Sequence, residues 1–189
     1  SSLYGPLELL TLERQLMMPN FRVWQAAFFD DGARLVAGST GRHVSVFDVA
    51  TGEVLAQRTL GVPGQREEAQ RTLGVTRKRE EARRLLVVDG GRGVLVGSED
   101  GSVRRLALPD LAEVWSSTER CPELSAHGPI QWLAEVPTAG ALEPPSTELA
   151  REVLVVTSEG ALAVLDIATG AARLTATVPQ RSAGEARCF

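Results

Sequence analysis

One stretch of fourteen residues occurs three times in this chain at a constant offset of 59. The copies are Leu35 to Asp48 (LVAGSTGRHVSVFD), Val94 to Ala107 (VLVGSEDGSVRRLA) and Val153 to Asp166 (VLVVTSEGALAVLD). Each has an apolar run, a small polar turn and a second apolar segment. The second segment alternates, as in Val44 and Val46 or Leu162 and Val164. A period of two marks a strand with one buried face. The turn residues between the runs make each copy a hairpin. A unit that repeats in this way buries its apolar faces by stacking on its neighbours.

The repeat extends on both sides. Copy one continues as Asp48-Val49-Ala50-Thr51-Gly52 and copy three as Asp166-Ile167-Ala168-Thr169-Gly170. The Asp accepts backbone N–H bonds in such a turn, and the Gly takes a positive φ. Copy two has Leu108-Pro109-Asp110-Leu111 there and lacks the glycine. Upstream of the hairpins lie Val23 to Phe29, Leu85 to Val88 and Ile130 to Val136, each expected to be a strand. Every unit is therefore four antiparallel strands, the sequence form of a propeller blade.

The segments LVAGSTGRHVSVFDVATGEVL, VLVGSEDGSVRRLALPDLAEVW and VLVVTSEGALAVLDIATGAARL resemble WD40 repeats. They are also similar to the repeats of quinoprotein-like propellers. The Trp-Asp pair is replaced by Phe47-Asp48, Leu106-Ala107 and Leu165-Asp166. The resemblance implies an all-β chain of three β-propeller blades, part of an incomplete propeller. Residues 1–189 form one segment: blade 1 at about 22–60, an insertion at 61–83, blade 2 at about 84–118, blade 3 at about 128–179 with an insertion at 137–151, and a tail at 180–189. Leu7 to Leu12 reads as a spare outer strand. Propellers close with typically four to eight blades, so other protein subunits, or the rest of a longer propeller chain, are expected as partners.

The tract between blades 1 and 2 is itself duplicated. AQRTLGVPGQREE at Ala56 to Glu68 returns as AQRTLGVTRKREE at Ala69 to Glu81. Loop insertions cost little stability, so a tolerated duplication is the expectation. The alternative is a docking arm for an acidic partner, built on Arg77, Lys78, Arg79, Arg83 and Arg84.

Charge and motifs narrow the function classes. A net charge of −4 opposes a nucleic-acid-binding surface. Cys121 and Cys188 are the two cysteines, too few for a disulfide framework. Free thiols point to a cytoplasmic setting. No apolar run reaches the ~20 residues that span a bilayer. Phosphate-loop, zinc-protease and nucleophile-elbow motifs are absent. His43 and His127 lie far apart, and Ser98 to Ser102 does not have the spacing of a calcium loop. Trp24 and Trp132 fall on first strands near the axis and Trp115 on an outer strand, and all three are expected to pack between blades. The expectation is a non-catalytic interaction scaffold with no cofactor and no metal. The alternative, from the quinoprotein-like resemblance, is a propeller that binds a small molecule on its axis.

Overall fold

The computed structural model describes residues 22–61, 81–136 and 151–177. Among these residues lie three separate four-stranded antiparallel sheets, each with its strands in sequence order. Blade 1 holds β1 (Val23–Phe29), β2 (Arg34–Ser39), β3 (His43–Asp48) and β4 (Val54–Thr59). Blade 2 holds β5 (Ala82–Val88), β6 (Gly93–Ser98), β7 (Val103–Ala107) and β8 (Glu113–Ser116). Blade 3 holds β9 (Ile130–Val136), β10 (Glu152–Thr157), β11 (Ala161–Asp166) and β12 (Ala172–Thr177). The chain is thus all-β, three blades of an incomplete propeller. Leu7 to Leu12, the duplicated tract over 62–80 and the insertion over 137–150 lie outside the described residues.

The blades touch through their first strands, β1 against β5 and β5 against β9. These strands form the hub, and β4, β8 and β12 form the rim. Two interfaces hold the fan together, and residue parity decides which side chains enter them. Val36, Val44 and Val46 of blade 1 meet Val94, Val96 and Leu106 of blade 2. Leu95 and Val103, from the other face of blade 2, meet Val153, Val155, Ala163 and Leu165 of blade 3. The repeat offset explains the pairing. Val36, Leu95 and Leu154 are equivalent positions and face the following blade; Leu35, Val94 and Val153 face the preceding one. Full burial of each Val or Leu contributes about 1.5–3 kcal/mol, so these apolar faces outweigh the side-chain bonds between blades, each worth about 1 kcal/mol net.

Two hub glycines set how closely the blades approach. A Cβ on Gly38 would lie 2.9 Å from the Ala82 Cβ, and one on Gly97 would lie 2.6 Å from the Ile130 Cγ2. Both positions are equivalent in the repeat, and each admits the first residue of the next inner strand. At the rim, Trp115 lies over Gly170, where a Cβ would come within 2.6 Å of the ring. Its indole N–H donates to the Ile167 carbonyl at 2.9 Å.

The Asp-x-Ala-Thr-Gly turns form as their residues dictate. The Asp48 Oδ1 accepts the Thr51 N–H at 2.7 Å, and the Asp166 Oδ1 accepts the Thr169 N–H and hydroxyl, each at 2.7 Å. In the first turn the Thr51 N–H, then its hydroxyl, holds the Asp48 carboxyl below the ordinary range; in the second the Thr169 hydroxyl leads. Gly52 and Gly170 close these turns with φ of 79° and 71°. In blade 2 the equivalent residue is Leu111, at φ 60° and buried in the core between blades 1 and 2. A leucine in the left-handed region bears backbone strain of order 1–2 kcal/mol, which its buried side chain offsets.

The connection from blade 2 to blade 3 was not foreseen from the sequence. It contains a short helix, α1 (Ser117–Arg120), and a 3-10 segment, Pro122–His127. Cys121 and Leu124 from this stretch are buried between the two blades. Burial, and then the Glu123 carboxylate, push the Cys121 thiol up, so it is a packing residue.

Gly97→Ala should destabilise the chain by about 1–3 kcal/mol in chemical denaturation, because the added methyl overpacks the hub against Ile130; an unchanged midpoint would remove the glycine from its spacing role. Thr169→Val should raise the Asp166 carboxyl pKa towards the ordinary value in an NMR titration. The sign follows from linkage: a depressed carboxyl stabilises above its unfolded value of 3.8 and loses that effect as pH falls through the folded pKa. The variant's acid limb should accordingly be shallower.

Candidate functional site

The hub is where polar and aromatic groups of all three blades converge. Each inner strand carries an irregularity at the same place: the register shifts between Val23 and Gln25 in β1, between Ala82 and Arg84 in β5, and opposite Val156/Thr157 in β9. Trp24, Arg83 and Gln131 are the extra residues. A bulge of this kind re-aims the side chains beside it.

The residues just after the first two bulges link one blade to the next. The Gln25 amide donates to the Leu85 carbonyl and accepts the Leu85 N–H, both at 3.0 Å. The Arg84 Nε donates to the Gln131 carbonyl at 2.6 Å. Trp132 holds the same register position in blade 3, opposite Val156, where Gln25 stands opposite Gly38 and Arg84 opposite Gly97. A groove of about 320 Å³ runs along these strands, lined by Gln25, Arg84, Leu85, Leu86, Trp132 and Leu133.

Trp24 and Arg83 form a second cluster. The Arg83 guanidinium lies 5.1 Å from the centre of the Trp24 ring, within the range of a cation–π contact. Arg83 also pairs with Glu99 at 3.2 Å, and the Trp24 indole N–H donates to Glu81 at 3.3 Å.

The residues of the expected basic arm are thereby divided. Arg77, Lys78 and Arg79 lie outside the described residues. Arg83 and Arg84 lie on β5, which opens at Ala82, so the inner strand begins ahead of the expected boundary at 84. Their guanidiniums are bonded to Glu99 and to the Gln131 carbonyl. The expectation for the tryptophans divides too. Trp115 packs between blades 2 and 3, but Trp24 and Trp132 are 45% and 61% exposed. Alternating strands reveal which residues share a face; they do not reveal whether a further sheet covers that face. His43 and His127 stay apart. His43 opens β3 with its Nδ1 3.1 Å from the Thr59 hydroxyl, and His127 ends the 3-10 segment before blade 3.

A quinone cofactor, the group the quinoprotein-like resemblance brings with it, needs free cationic and acidic groups around an acidic planar ring. Among the described residues, the lining of the hub groove does not fit one. The Gln25 amide and the Arg84 Nε are committed to backbone partners, and the remaining lining is leucine and tryptophan. Among the described residues no group of three or more His, Cys, Asp or Glu is placed to hold a metal ion. No helix among them is long and apolar enough to cross a membrane.

A family model described as outer membrane protein assembly factor BamB matches residues 22–188, and the chain belongs to that family. Among solved structures it is similar to the WD40 repeats of RRP9, at 11% identity and a TM-score of 0.62 over 88% of this chain and 42% of that one. It is similar to the β-propeller domain of Cps50 (Swd1) from Myceliophteria thermophila, at 15% identity and a TM-score of 0.57 over 84% of this chain and 42% of that one. BamB from Moraxella catarrhalis matches at 19% identity and a TM-score of 0.50 over 82% of this chain and 37% of that one. These likenesses establish the propeller fold. The chain spans less than half the length of each of these structures. None of the curated proteins matches the chain.

Arg84→Ala should lower stability by about 1–3 kcal/mol, since it removes a charged donor and leaves the Gln131 carbonyl unpaired at a part-buried interface. Thermal unfolding checks this; a change within error would mean that apolar packing alone fixes the blade 2–blade 3 contact.

Proposed function

We propose that the chain is a non-catalytic propeller scaffold that mediates protein–protein interaction within a larger assembly. The observation that supports this best is the unclosed fan. Among the described residues blade 2 packs on one face of blade 1; on the other face Ala37 and Phe47 are buried, with Leu35 packed against them. Phe28, opposite Leu35 on that same face, is 64% exposed. Blade 3 likewise turns Leu154, Val156, Leu162 and Val164 away from blade 2. The exposed Phe28 and the half-buried Leu154, Val156, Leu162 and Val164 leave apolar surface of the kind that marks an interaction site in a folded protein. The occupant of such faces is protein, either other subunits or further propeller blades. A cytoplasmic location and membership of a multi-subunit complex belong to the same reading. Arg77, Lys78 and Arg79 make the duplicated tract a secondary docking element for an acidic partner, while Arg83 and Arg84 are engaged within the hub by Glu99 and the Gln131 carbonyl.

The propeller of the BamB family match also keeps a second reading in play, in which the hub groove takes a small molecule. One purification separates the two. The tagged chain, a Trp132→Asp variant and a form lacking Ala69 to Glu81 are recovered from cells, with protein partners quantified and the absorption spectrum recorded. The scaffold reading expects defined proteins whose recovery drops at least about tenfold with one of the two alterations, and no absorption band beyond that of the protein. A stoichiometric chromophore, or recovery indifferent to both alterations, would overturn it.

A further inference from the structure

The Gln25 side chain is a single amide group laid against the hub edge of β5. It donates to the Leu85 carbonyl and accepts the Leu85 N–H, each at 3.0 Å. A peptide backbone makes the same pair of bonds with the edge of a strand. Leu133 is the blade 3 equivalent of Leu85: Leu85 stands opposite Val96 and Leu133 opposite Val155, each one residue beyond the Gln25–Arg84–Trp132 position. The Leu133 N–H and carbonyl therefore face the hub as well. The side chain placed to meet them is Arg84, but its Nε turns to the Gln131 carbonyl at 2.6 Å. Among the described residues no side chain bonds the Leu133 backbone.

Arg84 keeps donor capacity and an uncompensated charge. Its Nη1 donates to the Arg83 carbonyl at 3.3 Å. Its Nη2 has no partner among the described residues, and no carboxylate among them pairs with the guanidinium. In an extended strand a carbonyl and the N–H two residues on lie on the same edge. The Gln131 carbonyl that anchors Arg84 thus stands next to the Leu133 N–H. Two donors, one of them cationic, sit side by side in the hub groove. Around them the lining is apolar: Leu85, Leu86 and Leu133, with the Trp132 indole 61% exposed.

We propose that this groove captures the C-terminal carboxylate of a partner protein whose last residue is apolar. The proposal rests on the scaffold reading and names the part of a partner that the hub takes. The last residue pairs with Leu133 as a strand residue would. One carboxylate oxygen accepts the Leu133 N–H, and the amide N–H of that residue donates to the Leu133 carbonyl. The other oxygen accepts the Arg84 Nη2, a charge-assisted bond. The terminal side chain lies on Leu86 and the Trp132 indole. Charge decides against other occupants: a neutral segment leaves Arg84 uncompensated, and a basic one is repelled. Size agrees, because a groove of about 320 Å³ lies at the small end of ligand pockets, with room for a chain end but not for a long segment. The groove is built from β1, β5 and β9 alone.

Calorimetric titration of the purified chain tests this. The probes are acetylated pentapeptides ending in Leu, Ile, Val or Phe, each as the free acid and as the C-terminal amide. At least one acid should bind saturably with Kd below about 1 mM, and its amide should bind roughly tenfold or more weakly. That comparison needs no variant. Arg84→Gln should bring acid and amide to equal affinity, a change of ratio that a loss of folded protein does not produce. Trp132→Ala, at an exposed position, should weaken both roughly tenfold, with circular dichroism confirming that the sheets persist. No saturable binding by any acid to about 1 mM, or an acid and amide bound alike by the unaltered chain, would overturn the proposal. So would equal binding of a peptide capped at both ends with an internal Glu, since the groove would then read a side chain and not a chain end. Proteins still recovered with the chain from cells after such a result would leave the scaffold reading standing, so the two failures are distinguishable.

Discussion

Everything in this fold depends on sheets that are apolar on both faces meeting at a fixed distance. A sheet covered on one side alternates apolar and polar residues. The central strands here do not: Val94, Leu95 and Val96 are all fully buried, because blade 2 has a neighbour on each side. Hub glycines let the inner strands close on one another, and the apolar contacts follow outwards from there. The side-chain bonds between blades, from Gln25, Arg84 and Trp115, from the Arg58–Glu113 pair and from Arg105 to the Ala168 carbonyl, contribute less energy but fix orientation. The twist of each sheet limits the angle at which two sheets pack. Directional bonds at hub and rim fix it within that range.

The strands were legible because their chemistry is local. The repeat placed β1 and β9 to the residue upstream of their hairpins, and the Asp-x-Ala-Thr-Gly signature identified two turns together with the atoms that close them. The missing glycine in blade 2 was legible as a departure, though not its resolution. Only packing shows that Leu111 adopts the glycine conformation and is rewarded by burial against blade 1. The start of β5 was read late because Ala82, Arg83 and Arg84 carry no alternation, and the bulge beside Arg84 breaks the period. The short helical connection was invisible for a different reason: four residues are too few to display a helical period.

The site was less legible than the fold. A run of arginines in sequence suggested one basic surface, yet adjacent residues on a strand point to opposite sides, and a bulge turns them further. Arg83 goes to Trp24 and Glu99, and Arg84 goes to the next inner strand. The signal that could have found the hub links is the repeat itself. Aligning the residues that follow each bulge places Gln25, Arg84 and Trp132 in one column, and the first two reach across to the next inner strand.

That column has a mechanical meaning. The glutamine, the shorter arm, spans the joint where an alanine abuts a glycine, and the arginine spans the joint where the bulkier isoleucine does. The longer arm accompanies the bulkier hub residue. Each joint of the fan thus carries a side-chain bridge of its own. A ring assembled from such units need not be evenly divided, and its blade count could drift through changes at one position per blade while every sheet remained the same.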